Sequence, residues 1–164
     1  MSKCLLPVSV HVMFIKNGEI LLARRTNTGF EDANYGLIGG HLAGHETVKQ
    51  AAMRECHEEI GVSIAAVDLD VIGVEHYVSP TGEGIDFYCK ANRWQGEPYA
   101  RAECDNITWF KLDNLPKTMI PFMRDAIARY LSEQSWFSGF EGNDFKEDST
   151  SSYQNTNLLE NTQD

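Results

Sequence analysis

Positive charge is scarce in this chain. Only 14 Lys and Arg stand against 24 Asp and Glu among 164 residues, a formal net charge of −10. Such a surface repels polyanions, which argues against a nucleic-acid polymer as partner, and an anionic small substrate needs a cation to bring it in. Long apolar runs are also missing. None approaches the roughly 18 residues that span a bilayer, and the N-terminal "MSKCLLPVSVHVMF" lacks a charged leader followed by a small-residue cleavage site. The expectation is a cytoplasmic protein without a membrane partner. Paired cysteines are absent as well: Cys4, Cys56, Cys89 and Cys104 are scattered without a CxxC. That excludes the zinc-ribbon and disulfide-framework patterns and leaves reduced thiols. No internal repeat occurs.

What is present suits one globular domain with a real core, at 42% hydrophobic and 10% aromatic residues. "PVSVHVMFI" alternates at period two and meets "EILLARR" across "KNGE", where Asn17-Gly18 predicts a type I′ hairpin. "TNTGFEDANYG" reads as a loop before the short apolar "LIGG". "IAAVDLDVIGVEHYV" and "GIDFYCKANRW" read as strands joined by "SPTGE", and "ITWFKL" as another. "PFMRDAIARYL" has helical periodicity, which puts Phe122, Ala126, Ile127 and Tyr130 on one side. The pattern stops there. The polar segment 138–164 reads as a disordered acidic tail behind a domain at 1–137, and the element order indicates an α/β mixture of α+β type with mixed sheets.

The most informative stretch is "GHLAGHETVKQAAMRECHEEIGV", residues 40–62. Thr47 with Gln50 three residues on fits a capping box, and Gly61 fits a left-handed C-cap, so a helix is predicted from about Thr47 to Ile60. Val48, Ala51 and Ala52 begin an apolar stripe whose continuation falls on Glu55, Glu58 and Glu59. Acids in a helix are most often a solvated face. That reading leaves unexplained why these acids extend the apolar stripe, why Gln50, Arg54 and His57 take the other side, and why two glycines precede. Clustered carboxylates repel and oppose the helix dipole, whereas a divalent cation reverses both penalties, and hard oxygen donors suit Mg²⁺ or Mn²⁺.

The stretch resembles the Nudix box: a glycine, five residues, Glu, seven residues, then Arg-Glu-apolar-x-Glu-Glu-x-Gly-apolar. Gly40, Glu46, Arg54-Glu55-Cys56, Glu58-Glu59 and Gly61-Val62 match without a gap. The element order over about residues 5–134 is similar to a MutT-like Nudix domain. The resemblance implies the Nudix fold, mixed sheets packed with a central catalytic helix and a C-terminal helix in an α/β/α sandwich. It implies metal held by Glu55, Glu58 and Glu59 with the Gly40 carbonyl, and a loop-to-helix lock between Glu46 and Arg54. A further carboxylate before the "WF" strand would be Glu103. The resemblance also points to Arg25, at the end of "LLARR", as a substrate contact, and Arg24 should alternate to the other strand face. Trp109 is a candidate for stacking a base, against the usual core role of a strand aromatic.

The implied activity is metal-dependent hydrolysis of a phosphoanhydride, with Glu55 or Glu103 taking the proton of the attacking water. The substrate expected is a small nucleotide or another nucleoside diphosphate derivative, foremost a nucleoside triphosphate cleaved to monophosphate and pyrophosphate, by a monomer or homodimer. The alternative is a catalytically silent fold that senses a ligand or binds a partner. Two departures bear on the loop: "YGLIGG" has Tyr35 and Ile38 where many MutT-like members have Trp and Pro. Cys56 fills an apolar box position and suggests no nucleophile. Gly39 and Gly44 have P-loop spacing but His45-Glu46 follows, and His41 and His45 lack a third zinc ligand.

Overall fold

The computed structural model describes residues 5–80 and 82–138; the tail expected at 138–164 otherwise lies outside them. Strands β1 (Val8–Lys16) and β2 (Glu19–Arg25) form the expected hairpin. Ile15 pairs with Ile20, and the turn residues Asn17 and Gly18 have φ of 54° and 76°. Two successive positive φ values are what a type I′ turn requires, and Asn-Gly tolerates them. Short strands β3 (Tyr35–Gly36) and β4 (Ile38–His41) lead into helix α1 (Val48–Ile60). Then come β5 (Leu69–Ser79), β6 (Gly82–Ala91), β7 (Cys104–Lys111), helix α2 (Pro121–Glu133) and β8 (Trp136–Ser138).

The strands join in a mixed sheet of order β3-β2-β1-β6-β5-β8, with β4 added to β1 and β7 to β2. β1 is the hinge of this arrangement. Its residues Val8 to Phe14 run parallel to β6, and its last residues pair with β2. Because successive strand side chains alternate faces, β1 feeds two cores. Val10, Val12 and Phe14 join Ala51, Ala52, Cys56 and Ile60 of α1 on one face. Met13 joins Met123, Ala126 and Ile127 of α2 with Tyr88 and Trp136 on the other. The expected α/β/α sandwich is therefore present, with α1 covering one face of the sheet rather than standing at its centre.

Three expectations need correction. The strand expected from Ile64 starts at Leu69, because Ala66–Asp68 form a 3-10 turn whose Asp68 N–H donates to the Ala65 carbonyl. In α2 the buried position is Met123, while Phe122 is 36% exposed and turned toward a cavity. A stripe wider than 100° admits either residue, and the sheet below decides. Ser138, expected as the first residue of the tail, is instead the buried end of β8, which runs parallel to β5. Among the described residues no helix is long and apolar enough to cross a membrane.

Candidate active site

Helix α1 begins and ends as its sequence dictates. The Thr47 side chain accepts from the Gln50 N–H while the Gln50 side chain accepts from the Thr47 N–H. Such a cap contributes about 1 kcal/mol. Gly61 ends the helix at φ 72°, and a Cβ there would also collide with the Tyr99 ring. With both ends fixed, the helix rotation is set by burial of Ala51, Ala52, Cys56 and Ile60. That rotation grades the acids: Glu59 is buried, Glu55 half-buried and Glu58 exposed.

The two glycines of β4 explain how the acids meet the loop. A Cβ on Gly39, whose φ is 153°, would lie 1.9 Å from the Val10 carbonyl oxygen, so glycine is needed for β4 to approach β1. A Cβ on Gly40 would lie 2.6 Å from a carboxylate oxygen of Glu55. The missing side chain is thus the space that the Glu55 carboxylate occupies. The Gly39 N–H donates to Glu59 at 3.0 Å, which anchors the buried acid to the same strand.

Arg54 is not on the opposite side of the helix from the acids, as the periodicity predicts. Its long side chain turns back and spends its donors on the loop and the cluster. Nε and Nη2 donate to the two oxygens of Glu46 at 3.1 and 2.7 Å, and Nη2 also reaches the His41 carbonyl. Nη1 donates to Glu55 at 2.6 Å and to Glu58 at 3.3 Å. Glu46 is held below the usual carboxylate range, first by Arg54 and then by the Ala43 N–H. The expected loop-to-helix pair is present in geometry.

Glu103 and Arg25 come to the same place through a bulge. β2 and β7 slip register between Arg24 and Arg25, and the Thr26 N–H donates to the Glu103 carbonyl. Arg24 points the other way and pairs with Asp105 at 2.8 Å. Arg25 donates to the Phe30 carbonyl at 3.0 Å. Arg25, Glu55, Glu58, Glu59, Glu103 and the Gly39–Gly40 backbone all line one cavity of about 920 Å³.

The electrostatics of this cavity are unbalanced. Burial pushes the Glu59 carboxyl up to about 7, and Glu55 and Glu103 add to the shift while Gly39 and Arg25 oppose it. Burial raises Glu55 too, against the Arg54 hydrogen bond. Among the described residues no three His, Cys, Asp or Glu side chains converge as a ready metal cage. Arg54 draws Glu55 and Glu58 toward itself. The donors fit a divalent cation in kind: hard carboxylates, a backbone strand with no side chain in the way, and buried negative charge that lacks a full counterion.

Trp109 does not line the cavity. It stacks on Trp94 with ring centroids 6.3 Å apart, and Trp94 meets Phe14 edge-on at 5.1 Å. As a residue paired with Leu21, it faces the α1 core, so its stacking role is withdrawn. Among the described residues Cys56, Cys89 and Cys104 are buried free thiols; burial pushes Cys56 well up and lifts Cys104 to about 12. Sequence reasoning missed the far wall of the cavity, formed by Ser9, His11, Glu75, Tyr77, Asp86 and Phe122. The available signal was polar residues recurring at period two on three strands: Ser9 and His11, Glu75 and Tyr77, then Asp86 two before Tyr88.

A mixed sheet between two helices, with a carboxylate-bearing helix locked onto a double-glycine strand, defines the class to which this chain belongs. The chain matches the family model of the NUDIX domain over residues 5–130, and it is a member of that family. It is 32% identical over 123 residues to the NAD-capped RNA hydrolase NudC of Pseudomonas aeruginosa, covering 75% of this chain and 41% of that one. It is 31% identical over 109 residues to the oxidized purine nucleoside triphosphate hydrolase of Danio rerio, covering 64% and 66%. The chain thus spans about two fifths of the first relative's length. The crystal structure of a MutT NUDIX hydrolase from Burkholderia pseudomallei superposes with a TM-score of 0.69 at 25% identity, over 76% of this chain and 97% of that one.

Proposed function

We propose that the protein hydrolyses a phosphoanhydride in a nucleoside diphosphate-linked substrate, using a divalent cation, Mg²⁺ or Mn²⁺. The most concrete form is a nucleoside triphosphate cleaved to monophosphate and pyrophosphate. The observation that carries this reading is the gathering of Glu55, Glu58, Glu59, Glu103 and Arg25 around one cavity beside the Gly39–Gly40 strand. The two relatives described above are named for hydrolysis of NAD-capped RNA and of oxidized purine nucleoside triphosphates, which supports a nucleotide-containing substrate. The net charge of −10 favours a small nucleotide over a polymer.

The chain's residues divide the work. Glu55, Glu58 and Glu59, with Glu103 and the Gly40 carbonyl, hold the cation. When bound, the cation neutralises charge on phosphate oxygens and lowers the pKa of water. Glu59 is kept in place by the Gly39 N–H and Glu55 by Arg54. Glu55 or Glu103 takes the proton from the attacking water. Arg25 offers a guanidinium to a phosphate, the geometry in which Arg binds best.

Two measurements test this. Hydrolysis with Mg²⁺ and with Mn²⁺ is followed by pyrophosphate release for nucleoside triphosphates, and by the appearance of the two monophosphate products for other nucleoside diphosphate derivatives and a NAD-capped RNA. Pyrophosphate from a triphosphate is expected, and no hydrolysis of any of them would leave the ligand-binding alternative. Millimolar Mg²⁺ or Mn²⁺ is expected to raise the melting temperature, because at about a hundredfold excess over Kd a ligand of the native state adds about 2.7 kcal/mol. An unchanged melting curve with both metals would contradict the carboxylate site.

A further inference from the structure

The chain between β6 and β7 returns to helix α1 before it reaches Glu103. Tyr99 and Arg101 dock on the C-terminal end of α1, where the last carbonyls of a helix have no partners within it. The Tyr99 N–H donates to the Ile60 carbonyl at 3.1 Å, and the Arg101 N–H to the Glu59 carbonyl at 2.9 Å. The Arg101 side chain adds a third bond, from Nη1 to the His57 carbonyl at 3.1 Å, and its guanidinium lies over the Tyr99 ring, 5.6 Å from the centroid. A cation at this end of a helix also meets the negative pole of the dipole.

Glu103 stands two residues further on, and the turn that delivers it is strained. The Cys104 N–H donates to the Arg101 carbonyl at 2.9 Å, which closes a four-residue turn, and Ala102 inside it has a φ of 50°. Turns with a left-handed first central residue ordinarily place glycine, asparagine or aspartate there. An alanine keeps such a conformation only where its surroundings fix it, and strain of this kind gathers at functional sites. Ala102 and Glu103 line the cavity, whereas Arg101 does not. The turn is also pinned to the end of β2, where the Thr26 N–H donates to the Glu103 carbonyl at 2.8 Å.

Both ends of the turn are therefore tied to the acidic cluster. Arg101 is bonded to Glu59, whose carboxylate is itself held by the Gly39 N–H, and Glu103 is bonded to Thr26, the residue after Arg25. The charge of Glu103 is felt in the cluster, since it adds to the upward shift of both Glu55 and Glu59. Like charges repel, so a turn that brings a third carboxylate to these two must be held against them as well as against its own strain. Capping α1 alone would need a donor but no strained residue after it. We propose that Arg101 is a positioning residue, whose guanidinium locks the 101–104 turn to α1 and so sets where the Glu103 carboxylate stands relative to Glu55 and Glu59. Arg101 touches neither the substrate nor the cation; it acts through Glu103.

The inference rests on the hydrolase reading above, which gives Glu103 its work, and two readouts on the full chain keep the two failures apart. The first is amide exchange in the metal-free protein, followed by NMR at the Thr26, Arg101 and Cys104 N–H groups. Arg101→Ala is expected to speed exchange at all three about tenfold, the value of a hydrogen bond from a charged group. Arg101→Lys is expected to restore most of the protection, because one nitrogen makes the bond to His57 and an ammonium can supply it. The second readout is turnover. Arg101→Ala is expected to lower kcat about tenfold with KM nearly unchanged, Arg101→Lys to recover it, and Arg101→Ala to cost nothing further in a Glu103→Gln background. Arg101→Met, which keeps the stem over Tyr99 and removes the donor, takes the place of Arg101→Ala should that variant not fold. Unchanged exchange, a loss in KM rather than kcat, no recovery with lysine, or an undiminished loss in the Glu103→Gln background overturns the proposal. If exchange responds as expected but the wild type hydrolyses nothing, the hold on the turn stands and the hydrolase reading falls. If the wild type hydrolyses and exchange is unmoved, the reverse holds.

Discussion

Glu59→Gln is expected to give a folded protein whose turnover has fallen on the order of a thousandfold, the rate equivalent of about 4 kcal/mol. The substitution keeps the size of the side chain and one oxygen able to accept from the Gly39 N–H, so the β4 anchor survives. It removes the buried carboxylate, and with it one of the donors proposed to hold the cation. The metal-free protein should report the same residue through pH. Glu59 carries a carboxyl raised to about 7 in the fold, against about 4.3 in an unfolded chain. Between those values the native state holds a proton that the unfolded state has released, so metal-free stability falls as pH rises through this window. Glu55, raised in the same direction, adds to the fall. The full difference for Glu59 corresponds to an upper limit of about 4 kcal/mol.

Without metal, then, Glu59→Gln should melt higher than the wild type at pH 8 and differ little from it at pH 4. Adding Mg²⁺ or Mn²⁺ should stabilise the wild type most at pH 8, where the carboxylate is ionised, and the variant far less. Melting curves at the two pH values with and without metal, alongside turnover, check all of this. Wild-type turnover in the variant, or equal stabilisation of both proteins by metal, would remove Glu59 from the site.

Helix α1 was readable from the sequence because everything that defines it is local. Its N-cap, its C-cap and the spacing of its acids all lie within residues 47–61, and the structure reproduces them. The β1–β2 hairpin was readable for the same reason, through Asn17-Gly18. The features that escaped depend on partners distant in sequence. For Arg54, periodicity alone gives the wrong side of the helix, while the box resemblance already pairs it with Glu46; its further bonds to the His41 carbonyl, Glu55 and Glu58 are what escaped. Trp109 is claimed by Trp94 and the α1 core. The His11 wall needs three strands in register before its residues become neighbours. β8 has only three residues and is defined by the β5 edge that it joins.

The arginine that periodicity misplaced is the subject of the second large effect. Arg54→Ala and Glu46→Gln should each lower turnover, Arg54→Ala by roughly a hundredfold, since a shift of about 1 Å in a reacting group can cost that much. Arg54 has two routes to this loss. It ties the Ala43–Glu46 loop to the helix through Glu46, and it directly steers Glu55, which occupies the space left by Gly40. Glu46→Gln cuts only the first route, so its effect should be the smaller one. The double variant should match Arg54→Ala alone, because once the guanidinium is gone Glu46 has nothing left to hold. Arg54→Lys should rescue little, since one ammonium cannot reproduce contacts made by three nitrogens in a planar fork. Steady-state kinetics of the wild type and the four variants over a range of metal concentrations decide between this clamp and its rival. If Arg54 merely competes with the cation for Glu55 and Glu58, Arg54→Ala should become more active at limiting metal. If the two residues act independently, the losses should multiply in the double variant. Either result would remove the clamp and leave Arg54 as a counterion.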